Sequence, residues 1–346
     1  LGGAGFTLMG TVYVFNAKRF HSIVRPTVLM AFLAYASAAF SLVIDIGRPW
    51  TIWHPIVMWN PHSVRFEVAW CLMLYTCVLM LEGSGMLFER WGWTRMVRIQ
   101  RMITLPIVIV GVILSTLHQS SLGALFLIVP GKLHALWYSS MLPLLFFVSA
   151  MAMGLAMVLI LSRLSARAFG RSLEVPVLSQ LARVLVAVLW VYGVARVFDL
   201  AHNGALPLAF QATYEATMFQ LEFVLGVVLP LVLLGSPARR ARPTLLYGGA
   251  VLVVCGFILN RLNVSITGFE AAQGGHYVPA WPEVFVTLMV VALVFGAFVF
   301  GARYLGDYPE LETSSSPPST PSRIPPATAE PAWQSRLPPV ETVHRR

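Results

Sequence analysis

Long apolar runs follow one another along this chain, with short polar segments between them. Most runs approach the roughly 20 helical residues that cross the hydrocarbon core of a bilayer. Their apolar residues are continuous rather than alternating, which favours membrane helices over the strands of a membrane barrel. The pattern predicts an all-α integral membrane protein, a bundle of about nine transmembrane helices at residues 1–15, 27–46, 66–88, 102–120, 136–161, 181–200, 212–234, 244–262 and 284–304.

The end of the chain differs from the rest, because proline and serine replace the apolar residues there. Such a segment cannot bury enough apolar surface to offset the entropy lost on folding. We therefore divide the chain into a transmembrane domain at residues 1–305 and a disordered tail at residues 306–346.

The overall composition supports a membrane protein and argues against nucleic-acid binding. Of the 346 residues, 57% are hydrophobic and 11% are charged, whereas soluble domains have about 25% charged residues. The net charge is +9, but the basic residues are spread over short loops rather than collected in one patch. Charge of this kind sets membrane topology, so we expect contact with membrane lipid and none with nucleic acid.

The positions of the basic residues predict the orientation. Of the 24 lysines and arginines, 19 fall in the tail and in the loops after the first, third, fifth and seventh runs, and 5 fall on the other side. By the positive-inside rule, the tail is cytoplasmic and the protein lies in a bacterial inner membrane. Residue 1 is then outside, and because no signal peptide precedes it we expect one further helix upstream.

Polar side chains gather near the outer ends of the predicted spans. Because ionisable groups are costly inside a membrane, each of them is a candidate for function. Six spans contribute to this group, which contains Asp45, Glu67, His118, Gln119, Arg196, Asp199, His202, Glu215, Asn260, Arg261 and Asn263. The convergence predicts a single polar layer near the outer membrane face.

Two carboxylates lie deeper than this predicted layer. Glu222 lies below Glu215 on the same span, at a depth difference of roughly 10 Å, and Glu82 is roughly 22 Å below Glu67. A carboxylate in the middle of a span is typical of proton transfer or ligand binding. Glu82 precedes two glycines, so close helix packing around a buried, hydrogen-bonded acid is the alternative there.

Structural explanations remain open for several residues of the outer layer. Arg196 and Asp199 are three residues apart on one helix, where they can form a simple salt bridge. Asp45 can end its helix with a local ion pair. Glu67 can serve only as an acidic residue in the first helical turn.

The sequence predicts no bound metal in this chain. The three cysteines lie inside apolar runs, and an iron–sulfur cluster needs about four thiolates. No close spacing of histidine, cysteine and carboxylate residues indicates zinc. A b haem is the remaining alternative, because His118, His134 and His202 all lie near the outer face.

Several local strings resemble the NrfD/polysulfide-reductase membrane-subunit family. They are DIGRPW at positions 45–50, WNPHS at 59–63, FEVAW at 66–70, LHQSSLGA at 117–124 and PGKLH at 130–134, followed by WY at 137–138. The string around His118 is the most specific of them. The similarity covers nearly all of residues 1–305 and points to the HybB branch of the family, whereas the proline-rich tail departs from the family pattern.

The resemblance implies an all-helical subunit that generally lacks haem in this branch. It also implies electron exchange between the quinone or menaquinone pool and a ferredoxin-like iron–sulfur subunit on the periplasmic face. For the HybB branch, the large and small subunits of a nickel–iron hydrogenase complete the complex. Other members of the family serve polysulfide, nitrite and further reductases, so the electron donor stays open.

These implications assign roles to the candidate residues. We expect Asp45, His118, Gln119, Arg196, Asp199 and Glu215 around the quinone head group, with Arg196 adjusting a neighbouring carboxylate. We expect Glu67, Glu222 and Glu82 to form a proton path. A proton-coupled transporter and a passive membrane anchor are the alternatives from other functional classes.

Overall fold

A computed structural model describes residues 21–45, 47–128, 131–169, 175–273, 277 and 279–304. In those residues the regular secondary structure is helical, without strands. Eight helical stretches among them are long and apolar enough to cross a membrane. The prediction of an all-helical, multi-pass membrane protein is confirmed, while the predicted first span at residues 1–15 and the tail at 306–346 lie outside the described residues.

Twelve α-helices are described in these ranges, and two pairs of them join into continuous spans. They are α1 (His21–Asp45), α2 (His54–Val57), α3 (Val64–Arg90), α4 (Thr94–Leu125), α5 (Leu142–Phe169), α6 (Val175–His202), α7 (Tyr214–Phe223), α8 (Leu229–Leu234), α9 (Pro237–Arg240), α10 (Pro243–Leu262), α11 (Gly268–Gln273) and α12 (Trp281–Tyr304). A π-helical turn at Val224–Val228 joins α7 to α8. A second π-helical turn, at Asn263–Thr267, joins α10 to α11.

Helix α5 lies at the centre of the bundle. It packs against α1, α4, α6 and α10, and Leu155 and Leu159 on it are fully buried. Helices α3 and α4 form an antiparallel hairpin on one side, and α12 packs mainly along α1. Most of the apolar surface of α12 is exposed, as expected for a helix that faces lipid.

The span formed by α10 and α11 continues well past the end that its hydropathy predicts. Hydropathy places that end at residue 262, but the helix runs through the π-helical turn to Gln273. Asn260 and Asn263 therefore lie in the interior of the span, and the prediction that they end it is wrong. The helix can continue because both amides find hydrogen-bond partners inside the bundle, which removes the cost of burying them.

The fifth predicted span begins too early in the sequence. Hydropathy starts it at residue 136, but α5 begins at Leu142. The preceding residues form a buried loop, in which Leu133, Leu136 and Trp137 are almost fully covered. The His134 N–H donates to the carbonyl of Gly268 at 2.7 Å and holds this loop against α11. The apolar residues before α5 are therefore buried in a loop and are not part of a helix.

Two glycines allow the seventh and eighth predicted spans to touch through their backbones. A Cβ atom built on Gly256 would lie 2.2 Å from the backbone nitrogen and Cα of Gly226. No side chain fits in that space, so this contact requires glycine. Glu222 and Asn260 each lie four residues from this crossing, on the faces that the crossing brings together.

Candidate functional site

A buried polar group of the bundle is built around the carboxylate of Glu222, which is 4% exposed. Its Oε1 atom accepts a hydrogen bond from Trp137 Nε1 at 3.1 Å and another from Asn260 Nδ2 at 3.0 Å. Its Oε2 atom accepts from Asn263 Nδ2 at 2.7 Å. Both π-helical turns begin next to this contact, at Val224 and at Asn263, and such turns are frequent at functional sites.

A second layer of hydrogen bonds fixes the two amides. Asn263 also donates to the carbonyl of Met218 at 3.1 Å, and its own Oδ1 accepts from Thr267 Oγ1 at 3.1 Å. Arg261 donates to Asn260 Oδ1 at 3.0 Å and to Ser149 Oγ at 2.7 Å. The donors that face Glu222 are thus held in place by residues from α5, α7 and the π-helical turn after α10.

Arg196 and Asp199 extend this network across α6. They form a salt bridge with an N–O distance of 3.4 Å, at side-chain exposures of 2% and 3%. Arg196 also donates to the carbonyl of Leu136 at 2.7 Å, and Asp199 accepts hydrogen bonds from Ser139 and Asn203. The salt bridge expected from the spacing is present, but it is fully buried and connected to the loop before α5.

Because Leu136 and Trp137 are adjacent, that loop links Arg196 to Glu222. We call the connected group the Glu222 cluster; it consists of Trp137, Ser139, Arg196, Asp199, Glu222, Asn260, Arg261 and Asn263. In the described part of the chain its polar atoms are almost all paired, and Nε of Arg196 is the exception.

A second polar group lies between α1, α3 and α4. The ring of Tyr35 meets the ring of Tyr75 edge-on at 4.4 Å and the ring of His118 at 5.6 Å. One turn along α4, Ser121 Oγ donates to Glu67 Oε1 at 2.6 Å. We call this group the His118 cluster; it consists of Tyr35, Glu67, Tyr75, His118 and Ser121.

The His118 cluster is incompletely hydrogen-bonded. His118 is 7% exposed, yet its Nδ1 atom has no hydrogen-bond partner among the described residues, and neither has the hydroxyl of Tyr35. Glu67, by contrast, is exposed at the edge of the cluster. Because a buried polar atom without a partner is costly, such atoms point to a site for a ligand or water.

The remaining predicted residues fall in different places. Glu82 is buried, and one of its carboxylate oxygens has no partner among the described residues. Gln100 donates to the backbone carbonyl of Glu82 at 3.0 Å, and its side-chain amide fills the space beside Gly85. Gln119 and Glu215 are half-buried. Asp45 is the last residue of α1, but its side chain lies outside the described atoms.

The predicted single polar layer is therefore divided into two clusters. No hydrogen bond links them within the described residues. The physical reason is that Asn260 and Asn263 lie inside a span rather than at its end, so they meet Glu222 instead of the residues that begin α3.

In the described ranges, each of the three histidines that were considered as haem ligands contacts an aromatic side chain. His118 contacts Tyr35, His134 contacts Trp137, and His202 stacks on Phe198. None of these contacts brings one histidine to another. Among the described residues, no three histidine, cysteine or carboxylate side chains are arranged to hold a metal ion.

Comparison with known proteins identifies the chain's family. The family model described as "Polysulphide reductase, NrfD" matches residues 2–271. This chain belongs to the NrfD family. The matched range includes both the Glu222 cluster and the His118 cluster.

Relatives of this NrfD protein include three whose names describe subunits of redox complexes. The chain is 33% identical over 316 residues to the "Probable Ni/Fe-hydrogenase 2 b-type cytochrome subunit" of Escherichia coli, a match that covers 89% of this chain and 80% of the relative. It is 27% identical over 340 residues to the "Menaquinone reductase, integral membrane subunit" of Nitratidesulfovibrio vulgaris, with the same coverage of 89% and 80%. It is 22% identical over 323 residues to the "Hdr-like menaquinol oxidoreductase integral membrane subunit" of Archaeoglobus fulgidus, covering 86% and 79%.

Several residues of the two clusters were missed by sequence reasoning. Trp137 and Tyr35 carry no charge and lie inside apolar runs, where they resemble packing residues. Tyr35 could have been found because a tyrosine in the middle of a span must place its hydroxyl somewhere. For Trp137 the string of residues 130–138 was a signal of family membership but not of a contact with Glu222.

Proposed function

We propose that this NrfD-family chain is the membrane subunit of a respiratory oxidoreductase complex. In this proposal it transfers electrons between an iron–sulfur partner subunit and the quinone pool. The names of its relatives support a redox complex, since one is a menaquinone reductase subunit and another a hydrogenase subunit. The observation that carries the proposal is the pair of buried polar atoms on His118 and Tyr35 that have no hydrogen-bond partner among the described residues.

The His118 cluster fits the head group of a quinone. A quinone carbonyl accepts hydrogen bonds, and the imidazole of His118 and the hydroxyl of Tyr35 can donate them. Reduction of a quinone to a quinol takes two electrons and two protons. In the proposed mechanism the electrons come from the partner subunit, and His118 and Glu67 hold protons for the two quinone oxygens. Gln119 and Asp45 are further candidates for contact with the head group.

The Glu222 cluster has a different proposed role. Because its hydrogen bonds are already made within the protein, it offers few groups to a quinone. We assign Glu222 to proton transfer, with Arg196 and Asp199 as the residues that position it through Leu136 and Trp137. Glu82 is a further candidate for this path, and Glu215 is a further candidate for the quinone site.

We further propose that the electrons come from a nickel–iron hydrogenase through a ferredoxin-like iron–sulfur subunit. The 33% identity to the E. coli hydrogenase subunit supports this donor. The distribution of arginines supports a periplasmic position for the partner and a cytoplasmic C-terminus in the inner membrane. A menaquinone reductase complex is the second candidate, which the Nitratidesulfovibrio relative supports.

Membranes that contain the whole complex provide the test. We expect hydrogen-dependent reduction of a menaquinone analogue, with binding of the analogue weakened by His118→Ala and turnover slowed by Glu222→Gln. His202→Ala is the matched control, because His202 is an exposed histidine that stacks on Phe198. This variant should leave analogue binding and turnover unchanged.

The outcomes distinguish the alternatives. If quinone reduction needs this subunit but uses a donor other than hydrogen, the partner enzyme is a different oxidoreductase and not a hydrogenase. Ion transport without a redox partner would support a transporter. A subunit that only retains its partners at the membrane, with no effect of His118→Ala or Glu222→Gln, would be a passive anchor.

A further inference from the structure

A groove lies where α3 ends and α4 begins, away from both polar clusters. Its volume is about 650 Å³, and its lining includes Phe88, Glu89, Thr94, Arg98, Arg101 and Met102. The turn between the helices is tight, with Gly92 at a φ of 72°. The groove is therefore formed by two helix ends and the open space beside their connecting turn.

Positive charge dominates this groove. Its lining contains two arginines, Arg98 and Arg101, and one glutamate, Glu89; Arg90 and Arg95 lie in the same segment of the sequence. Arg101 approaches Glu89 at 3.6 Å, but its side chain is 77% exposed, so this pair is weak. Arg95 and Arg98 are exposed and form no salt bridge within the described part of the chain. An anion that enters the groove meets arginines that are available to bind it.

Aromatic side chains place the groove at the level of lipid head groups. Trp91 and Trp93 are each about half exposed, and Trp93 stacks on Phe88 with ring centroids 5.8 Å apart. Tryptophan prefers the boundary between hydrocarbon and water, where its ring is in contact with apolar groups and its N–H with polar ones. Arg98 and Arg101 are thus positioned where lipid phosphates lie.

An exposed apolar strip continues from the groove along α4. Met102, Leu105, Ile109 and Ile113 follow one another at spacings of three or four residues, so they share one face of the helix. Each of them is at least 45% exposed. A strip of this kind can lie along an acyl chain whose head group is held at the arginines.

We propose that this groove binds an anionic phospholipid. Arg98 and Arg101 contact the phosphate, because a guanidinium group matches phosphate oxygens in charge and geometry. The acyl chains extend along the strip from Met102 to Ile113. Basic pockets between transmembrane helices are typical sites for such lipids.

The test uses the full chain, purified in detergent and titrated with phosphatidylglycerol during native mass spectrometry. We expect the double variant Arg98→Gln/Arg101→Gln to bind this lipid roughly tenfold or more weakly than the wild type. Arg239→Gln/Arg242→Gln is the matched control, because it also removes two exposed arginines, from the loop around α9. We expect the control to bind within about twofold of the wild type.

Three results would overturn the proposal. The first is equal binding by the wild type and the Arg98→Gln/Arg101→Gln variant, and the second is an equal loss in both double variants. The third is equal wild-type affinity for phosphatidylethanolamine or for soluble glycerol phosphate, which would mean that no anionic lipid is recognised as such.

The chain itself contains another acidic group that could occupy the groove. Asp307, Glu310 and Glu312 follow α12 in the sequence, and Tyr304 at the end of α12 lies 5.8 Å from the Arg90 guanidinium. We expect the full-length variant Asp307→Asn/Glu310→Gln/Glu312→Gln to bind phosphatidylglycerol as the wild type does. A gain of about tenfold would assign the groove to this segment instead.

Discussion

The Glu222 cluster and the His118 cluster are both buried groups of polar side chains within one helical bundle, but their hydrogen bonding differs. In the first, three donors from two distant parts of the chain converge on one carboxylate. In the second, the imidazole of His118 and the hydroxyl of Tyr35 leave buried atoms unpaired among the described residues. The two clusters therefore respond differently to the loss of a polar atom.

This difference provides a way to distinguish a network that positions other residues from a site that binds a ligand. Removing a member of a paired network leaves its partners unsatisfied, so the loss appears as instability. Removing an atom that has no protein partner costs the fold little, so the loss appears in ligand binding. Variants in the two clusters can break or sharpen this contrast.

Loss of the Arg196 side chain should have the largest effect. Arg196→Met leaves Asp199 as a buried charge without its salt bridge, which costs about 3–5 kcal/mol of folding stability. Chemical denaturation in detergent measures this loss. Arg239→Met is the control for removal of an exposed arginine and should cost less than about 0.5 kcal/mol. A loss below about 1 kcal/mol for Arg196→Met would mean that the network does not hold the Glu222 cluster together.

Gly256→Ala should separate the two helices that position Glu222 and Asn260. The added methyl group would meet the backbone of Gly226 at 2.2 Å, and overpacking of this kind costs about 1–3 kcal/mol. Gly248→Ala on the same helix is the matched control, because its Cβ would have no neighbour within 4 Å. We expect the thermal unfolding midpoint to fall only in the first variant. Equal midpoints would contradict the close backbone contact.

His118→Phe should have the opposite effect to the variants of the Glu222 cluster, because ligand affinity should fall while folding stability is retained. Phenylalanine keeps the edge contact with Tyr35 but removes both ring nitrogens. Folding stability should then stay within about 1 kcal/mol of the wild type, because Nδ1 has no partner to lose in the part of the chain that the structure describes. Affinity for a menaquinone analogue should fall about tenfold, which corresponds to one lost hydrogen bond of about 1.4 kcal/mol. Reduced stability with unchanged affinity would make His118 a structural residue.

Ser121→Ala should have the smallest effect. It removes the hydrogen bond of 2.6 Å to Glu67, but Glu67 is exposed and water can replace the lost donor. We expect a change in stability of about 0.5–1 kcal/mol and a small change in analogue affinity. Isothermal titration with the analogue measures the affinity. A loss larger than that of His118→Phe would move the centre of the site from His118 to Glu67.

Much of the fold could be predicted because hydropathy reports directly on membrane insertion. Eight of the nine predicted spans correspond to spans in the described residues, although their ends differ. The predicted ends of the spans are wrong where polar residues are buried in a helix or where apolar residues are buried in a loop. Residues 263–273 continue a helix although several of them are polar, and Trp137 is buried in a loop although its surroundings resemble a span.

The candidate residues were found from the sequence for a simple reason: a charge inside an apolar run is conspicuous. Glu222, Arg196, Asp199 and His118 were all identified in this way. Their partners were not identified, because Trp137 and Tyr35 look like ordinary packing residues. Hydropathy assigns one depth to each residue, but it carries no information on which spans are neighbours.

The sequence by itself determined the class of protein, the spans, the asymmetry of charge and the membership of the NrfD family. The tertiary structure decided how the polar residues are grouped. The contact between Gly226 and Gly256 brings Glu222 to Asn260, and the loop before α5 connects Arg196 to Glu222. These are contacts between distant parts of the chain, set by helix crossings and loop packing. A one-dimensional pattern specifies which side chains must be buried, whereas their partners depend on which helix faces meet.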